Sequence, residues 1–255
     1  MGRPLLLALA FCLASSLAMG ADTLKVSLIH TEPWAFYGSE GEQRNTPMGI
    51  VVEANQAIAR ESGLVLEPVL EPYGRIGRHL RNGDFDLTYL IRSPDRDDYV
   101  EYVGHLFTFQ SIVLSRPSLP LRRYEDLAGL RIGLIKDVHL NPRFDEDSQL
   151  QKVEVKDYET LVDMFLNGRL DAIAGNSVSL PYLLQKRGHA SLAQRPLVLQ
   201  QTEAWAQLSK RSSQRVAIPR LRAAIDKLRN QGYFEDLMSR YGALPANRTM
   251  VNSRM

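Results

Sequence analysis

The chain has 255 residues, 44% of them hydrophobic and 24% charged, which is enough apolar material for a packed core and excludes a disordered chain. Its 31 basic side chains nearly balance its 29 acidic ones, with no block of like charges, so the sequence implies no nucleic-acid partner and no anionic membrane surface. The single cysteine, Cys12, falls in the leader described next, so disulfides, thiolate metal sites and cysteine nucleophiles are excluded beyond it.

Residues 1–20 read as a secretory signal peptide. Arg3 supplies the basic start, and Leu5 to Ala18 is apolar except for Ser15 and Ser16. Small residues at Ala18 and Gly20 place the cut after Gly20 or Ala21. The apolar run is too short for a membrane anchor. Thr23–His30, Leu64–Glu71 and Phe85–Ile91 then read as strands. Helices at Gly49–Ser62 and near Arg75–Arg81 lie between them, and Gly63 and Gly83 are expected as left-handed caps. Strand–helix alternation of this kind predicts a mostly parallel sheet.

Gln110–Ser115 follows as a connecting strand, before a segment with Pro117 and Pro120. The alternation then restarts with strands at Arg131–Lys136, Lys152–Val155 and Leu170–Gly175, and a helix at Tyr158–Leu166. Asn82-Gly83-Asp84-Phe85-Asp86-Leu87 and Asn167-Gly168-Arg169-Leu170-Asp171-Ala172 are near copies in the same helix–Gly–strand setting. They fit two lobes built on one plan. An extended run at Pro196–Lys210 crosses back, and amphipathic helices at Pro219–Arg229 and Tyr233–Tyr241 complete the fold.

Signals for chemistry are absent. The five histidines are His30, His79, His105, His139 and His189, and no two stand three or four apart, so there is no local metal-ligand pair. No GxSxG elbow, phosphate loop or GxGxxG fingerprint is present. Neither an enzyme nor a bound cofactor is expected.

Four features in a fixed order carry a resemblance. Glu32-Pro33-Trp34-Ala35-Phe36-Tyr37 precedes a helix opened by Gly49. Gly83-Asp84-Phe85-Asp86-Leu87 leads to Ser93-Pro94-Asp95-Arg96. Asp126-Leu127-Ala128-Gly129 leads into Arg131-Ile132-Gly133-Leu134. Gly168-Arg169-Leu170-Asp171-Ala172 comes before a closing Gln231-Gly232-Tyr233-Phe234. From about Leu24 to Gly242, the chain resembles the bacterial periplasmic solute-binding proteins of family 3, the polar amino-acid type. The resemblance implies an α/β, two-lobed periplasmic-binding-protein fold of type II. Each lobe would be a mixed sheet flanked by helices, with two hinge strands between them. Lobe 1 would be 22–115 with 205–255, and lobe 2 would be 116–204.

The resemblance also implies a cleft that closes on a small polar ligand, amino-acid-like or a small carboxylate. Its aromatic wall would come from Trp34, Phe36, Tyr37 and Tyr73, with His30 and Glu32 at the same loop end. Arg96 falls where the family's arginine grips a carboxylate, with Arg92 and Ser93 beside it. The stretch from Asp86 to Arg96 is about two residues shorter than the family's, and Ile91 stands where the family has a hydroxyl residue. In lobe 2 the usual Gly-Thr-Thr-like turn reads Asp137-Val138-His139 after Lys136, and Asn176 replaces the acid that holds an ammonium group. His139 and Asn176 remain cleft candidates. Asn176 argues against a standard α-amino acid, because an amide gives a cation little.

The expected protein is a periplasmic monomer serving the permease of an ABC transporter. Two rivals stand beside it: a sensor subunit docking on a membrane receptor, and a periplasmic lyase or dehydratase on the same fold, with Lys136, Asp137, Glu32 and His139 as acid–base groups.

Overall fold

Strand and helix signals of two kinds share one sheet. The computed structural model describes residues 23–38, 44–136 and 138–245. The expected signal peptide, and Asp137 with its side chain, lie outside the described residues. The strands are β1 (Thr23–Ile29), β2 (Phe36–Tyr37), β3 (Pro47–Met48), β4 (Val65–Glu71), β5 (Leu87–Ile91), β6 (Val100–Ser115), β7 (Arg131–Ile135), β8 (Gln151–Val155), β9 (Ala172–Asn176) and β10 (Leu197–Ser209). The helices are α1 (Ile50–Ser62), α2 (Tyr73–Asn82), α3 (Pro142–Glu146), α4 (Tyr158–Leu166), α5 (Ser179–Lys186), α6 (Ile218–Asn230) and α7 (Tyr233–Arg240).

Eight strands form one mixed sheet in the order β4-β1-β5-β10-β6-β9-β7-β8. In the first half, β1 runs parallel to β4 and β5. In the second half, β7 runs parallel to β8 and β9. The long strands β6 and β10 pair antiparallel between the halves and join them. Their register shifts near the start of β10, between Val198 and Gln200, and again between Ala204 and Trp205 and between Ala206 and Gln207, which bends and twists the ribbon locally.

The halves are built alike. Asp86 N donates to the Lys25 carbonyl at 2.9 Å, and Lys25 N donates back to Asp86 Oδ2 at 2.8 Å. Asp171 and Arg131 repeat the exchange, at 3.0 Å both ways. Each aspartate follows a left-handed glycine, Gly83 at φ 84° or Gly168 at φ 78°. The near-copied hexapeptides are therefore the same device, pinning the entry of a strand to the start of its neighbour.

Apolar periodicity covers both faces. Helices α1, α6 and α7 bury Ile50, Ile58, Leu221, Ile225 and Phe234 with Leu24, Val26, Leu28 and Phe107. Helix α2 brings Ile76 and Leu80 onto Leu90 and Val100. In the second half, α4 and α5 cover Ile112 and Ile173 with Leu161, Phe165 and Leu183, and α3 sets Phe144 against Ile132 and Leu134. Each fully buried side chain of this size contributes about 1.5–3 kcal/mol.

Helices α3 and α5 were not expected from the sequence. Strand β6 extends ten residues further toward the N-terminus than the expected connecting strand, beginning at Val100 rather than Gln110. Among the described residues, no helix is long and apolar enough to cross a membrane.

Candidate functional site

The carboxyl ends of β1, β4 and β5 all point toward the second half of the sheet, where ligands commonly settle in open α/β folds. The segment after β1 is held from behind. Thr31 and Ala35 exchange backbone hydrogen bonds at 2.9 and 3.0 Å. The first amides of α1 then grip the turn, with Ile50 N on the Pro33 carbonyl at 2.9 Å and Val51 N on the Trp34 carbonyl at 2.8 Å. Gly49 makes this approach feasible. Its φ is 116°, and a Cβ there would stand 2.6 Å from the Pro33 oxygen.

This turn divides its aromatics. Trp34 is 7% exposed and packs on Phe107 and Phe109, with ring centroids 5.8 and 5.2 Å away. Its indole N–H reaches across to Ser179 Oγ, at 3.2 Å, on the first turn of α5. Phe36 and Tyr37 instead line a cleft of about 400 Å³ with His30, Thr31 and Glu32. Tyr37 is 45% exposed and meets the His30 ring edge-on at 5.6 Å. The opposite wall is Asp157, Tyr158, Glu159 and Leu183 of the second half. The volume suits a small solute.

The second-half wall begins where Asp157 caps α4, accepting from Thr160 N at 2.7 Å. Asn176 ends β9 just behind it. Its Nδ2 donates to the Tyr158 hydroxyl at 2.9 Å, and its Oδ1 accepts Val178 N at 3.1 Å and Ser179 N at 2.6 Å. Burial pushes the Tyr158 phenol up to about 12, against the pull of its Asn176 hydrogen bonds. Glu32 closes the rim with an ion pair to Lys186 of α5 at 2.7 Å. Burial draws the Lys186 ammonium down, but the Glu32 hydrogen bond and charge outweigh it, leaving its pKa raised.

The remaining expected residues lie elsewhere along the strand ends. Tyr73 opens α2 and is exposed. Arg92 is exposed, with its guanidinium 4.7 Å above the Tyr102 ring and 5.9 Å from the Trp205 ring. The Ser93 carbonyl accepts from the Tyr102 hydroxyl at 2.9 Å. Arg96 is 8% exposed; its Nε donates to Gln207 Oε1 at 3.0 Å and a terminal nitrogen donates to the Ile91 carbonyl. The His139 side chain is 91% exposed, with Nδ1 3.7 Å from Asp145 Oδ2.

The structure thus brings Phe36 and Tyr37 into one cleft, sets Asn176 directly behind it, and gathers Arg92 and Ser93 around Tyr102. Asp157, Tyr158, Glu159, Ser179 and Lys186 were not anticipated. The capping pattern at Asp157, an acid directly ahead of a helical stripe, was the one signal available for them.

No protein-family model matches this chain, and no curated protein sequence does. Solved structures do match. The substrate binding protein of an amino acid ABC transporter is 14% identical, with 86% of this chain and 98% of that one covered, at a TM-score of 0.68. A histidine kinase sensor domain with similarity to periplasmic binding proteins is 18% identical, with coverage of 88% and 98% and a TM-score of 0.69. The amino acid ABC transporter substrate-binding protein AbpA from Streptococcus pneumoniae, bound to L-arginine, is 17% identical, with coverage of 86% and 94% and a TM-score of 0.69. The fold is that of the periplasmic solute-binding proteins.

Proposed function

We propose that this protein is a periplasmic solute-binding protein without catalytic activity. It is exported by a cleaved leader, captures a small polar ligand between its two lobes, and presents it to the permease of an ABC transporter. The lobes are 22–115 with 205–255, and 116–204. One observation carries the reading: a single sheet whose halves are joined at its centre by β6 and β10, with a cleft walled from both sides by Phe36, Tyr37, Tyr158 and Glu159. Such a ribbon can flex while each half keeps its own core, so a ligand touching both walls favours the closed arrangement.

A thermal-shift screen of amino acids, small carboxylates and amines tests it. A ligand present at 100 times its Kd adds about 2.7 kcal/mol to the native state, or several degrees in Tm. Scattering with that ligand should then show a smaller radius of gyration. Failure of every class to raise Tm would sink the reading.

A second reading has its own support. A histidine kinase sensor domain is as similar in fold as the transporter proteins are. A sensor subunit would use the same cleft and pass closure to a membrane receptor. Reconstitution with a permease and its ATPase separates the two, since only the transport reading expects stimulated ATP hydrolysis.

A further inference from the structure

We propose that Arg92, rather than Arg96, is the anion-recognising guanidinium of this protein, and that its ligand carries a carboxylate or a similar oxyanion. The proposal rests on the binding reading above; Arg92 stands at the carboxyl end of β5, along the same strand ends as the cleft but not among the residues that line it.

Arg96 is already committed. It is buried, and it donates to Gln207 Oε1 and to the Ile91 carbonyl. Gln207 in turn donates from Nε2 to the Leu90 and Ile91 carbonyls at 2.9 and 3.1 Å. The pair closes off the carboxyl end of β5. Turning Arg96 toward a ligand would strip Gln207 Oε1 of its donor inside the protein, and an unpaired buried acceptor opposes that movement.

Arg92 is in the opposite situation. It is the first residue after β5, and its backbone N–H donates to the Glu203 carbonyl of β10 at 3.0 Å. Its guanidinium makes no hydrogen bond and no ion pair among the described residues. It lies instead over the rings of Tyr102 and Trp205. Both rings are tied down. The Tyr102 hydroxyl donates to the Ser93 carbonyl, and Trp205 Nε1 donates to Glu203 Oε2 at 3.1 Å. His105 stands edge-on to Trp205 at 5.6 Å, with Nε2 3.0 Å from Thr108 Oγ1.

Stacking orders a guanidinium without using its N–H groups, which lie in its plane. Five donors therefore stay available on a cation that has already lost much of its rotamer freedom, which is the preorganised form of a carboxylate fork. Two carboxylates border the cluster, but neither pairs with Arg92. Glu203 accepts from the Trp205 indole, and Asp97 acts on the Tyr102 hydroxyl. The exposed arginines Arg75 and Arg78 of α2 have no such aromatic floor among the described residues, and serve as internal controls.

The test uses sodium acetate as the probe on the 15N-labelled protein, read by NMR at the arginine Nε–H and tryptophan indole signals at constant ionic strength. We expect saturable shifts at Arg92 and at the Trp205 indole. Their half-saturation should be roughly tenfold lower in acetate than any response at Arg75 or Arg78. The Trp34 indole, bonded internally to Ser179, should stay still. Arg92→Gln should abolish the Trp205 response, and Arg96→Gln, checked for folding by its melt, should keep it. Linear shifts of equal size at Arg92, Arg75 and Arg78 would overturn the proposal, as would a saturable response centred on Arg96. The binding reading fails separately, if no small solute raises Tm while Arg92 still titrates with acetate.

Discussion

Arg96 and Arg92 stand four residues apart, yet their surroundings assign them different work. Arg96→Ala removes a buried side chain and leaves Gln207 Oε1 without its donor, so it should cost about 1–3 kcal/mol of stability. Arg92→Ala loses only exposed stacking on Tyr102 and Trp205, worth about 0.5–1 kcal/mol. Urea melts of the two variants decide this, and a costlier Arg92→Ala would refute the assignment. Asn176 can be probed in the same way. Its Oδ1 takes both amides at the head of α5, so Asn176→Ala should cost about 1–2 kcal/mol as a lost cap. Asn176→Asp keeps the acceptor and places negative charge at a helix N-terminus, where it is favoured; it should melt no lower than wild type. That saturated oxygen also explains why an amide suffices at this position: it serves the helix and has no lone pair to spare for an ammonium group.

The Asp86 and Asp171 pins were legible as near-copied hexapeptides, because a left-handed glycine followed by an aspartate is a local device. What reaches them from elsewhere in the chain was not legible. Asp171 also takes the Arg131 guanidinium, and its carboxyl is held at about 2, well under its ordinary 3.8, by that side chain first and by the Arg131 backbone N–H next. A carboxylate depressed on folding stabilises the native state above its unfolded pKa and loses that contribution as pH falls toward the folded one. Asp171→Asn should therefore be less stable than wild type near neutrality, with the gap closing between about pH 4 and 2. Denaturant melts across that range would show it, and a gap independent of pH would exclude the ion pair as its source. Helix α5 went unseen for a comparable reason. The residue that caps its first turn, Asn176, belongs to the preceding strand, and Pro181 sits in that turn, where no intrahelical donor is lost. The cleft was half visible in sequence. Phe36 and Tyr37 follow a strand directly, whereas Glu159 and Lys186 reach the cleft and its rim only through the packing of α4 and α5.

At the scale of the molecule, β6 and β10 are not the only crossings between halves. After α7 the chain continues through Gly242, and Leu244 N donates to the Ser177 carbonyl at 2.9 Å. Ala243 packs on the first-half core and Leu244 on the second. Tyr241 of this segment faces Tyr182 of α5 at 6.3 Å, and the Glu32–Lys186 and Trp34–Ser179 contacts join the same helix to the first half. Helix α5 is thus tied to both halves of the sheet, and on the binding reading proposed above these ties would limit how far the cleft opens. Each is weak alone: a partly exposed ion pair is worth about 0–1 kcal/mol. Reversing one charge does more than remove it, because Lys186→Glu sets two carboxylates against each other at the rim. Lys186→Glu with Leu244→Asp should therefore widen the ligand-free protein, raising its radius of gyration while each half keeps its core and the far-ultraviolet spectrum stays unchanged. Opening is an equilibrium, so a ligand that needs the closed arrangement must then bind more weakly, by the factor through which the closed population has fallen. Scattering without ligand and calorimetry with the strongest stabiliser from the screen measure the two sides of that relation. A wider protein with unaltered affinity would show that closure is no part of binding, and an unchanged radius would show that the Lys186 and Leu244 contacts do not limit the opening.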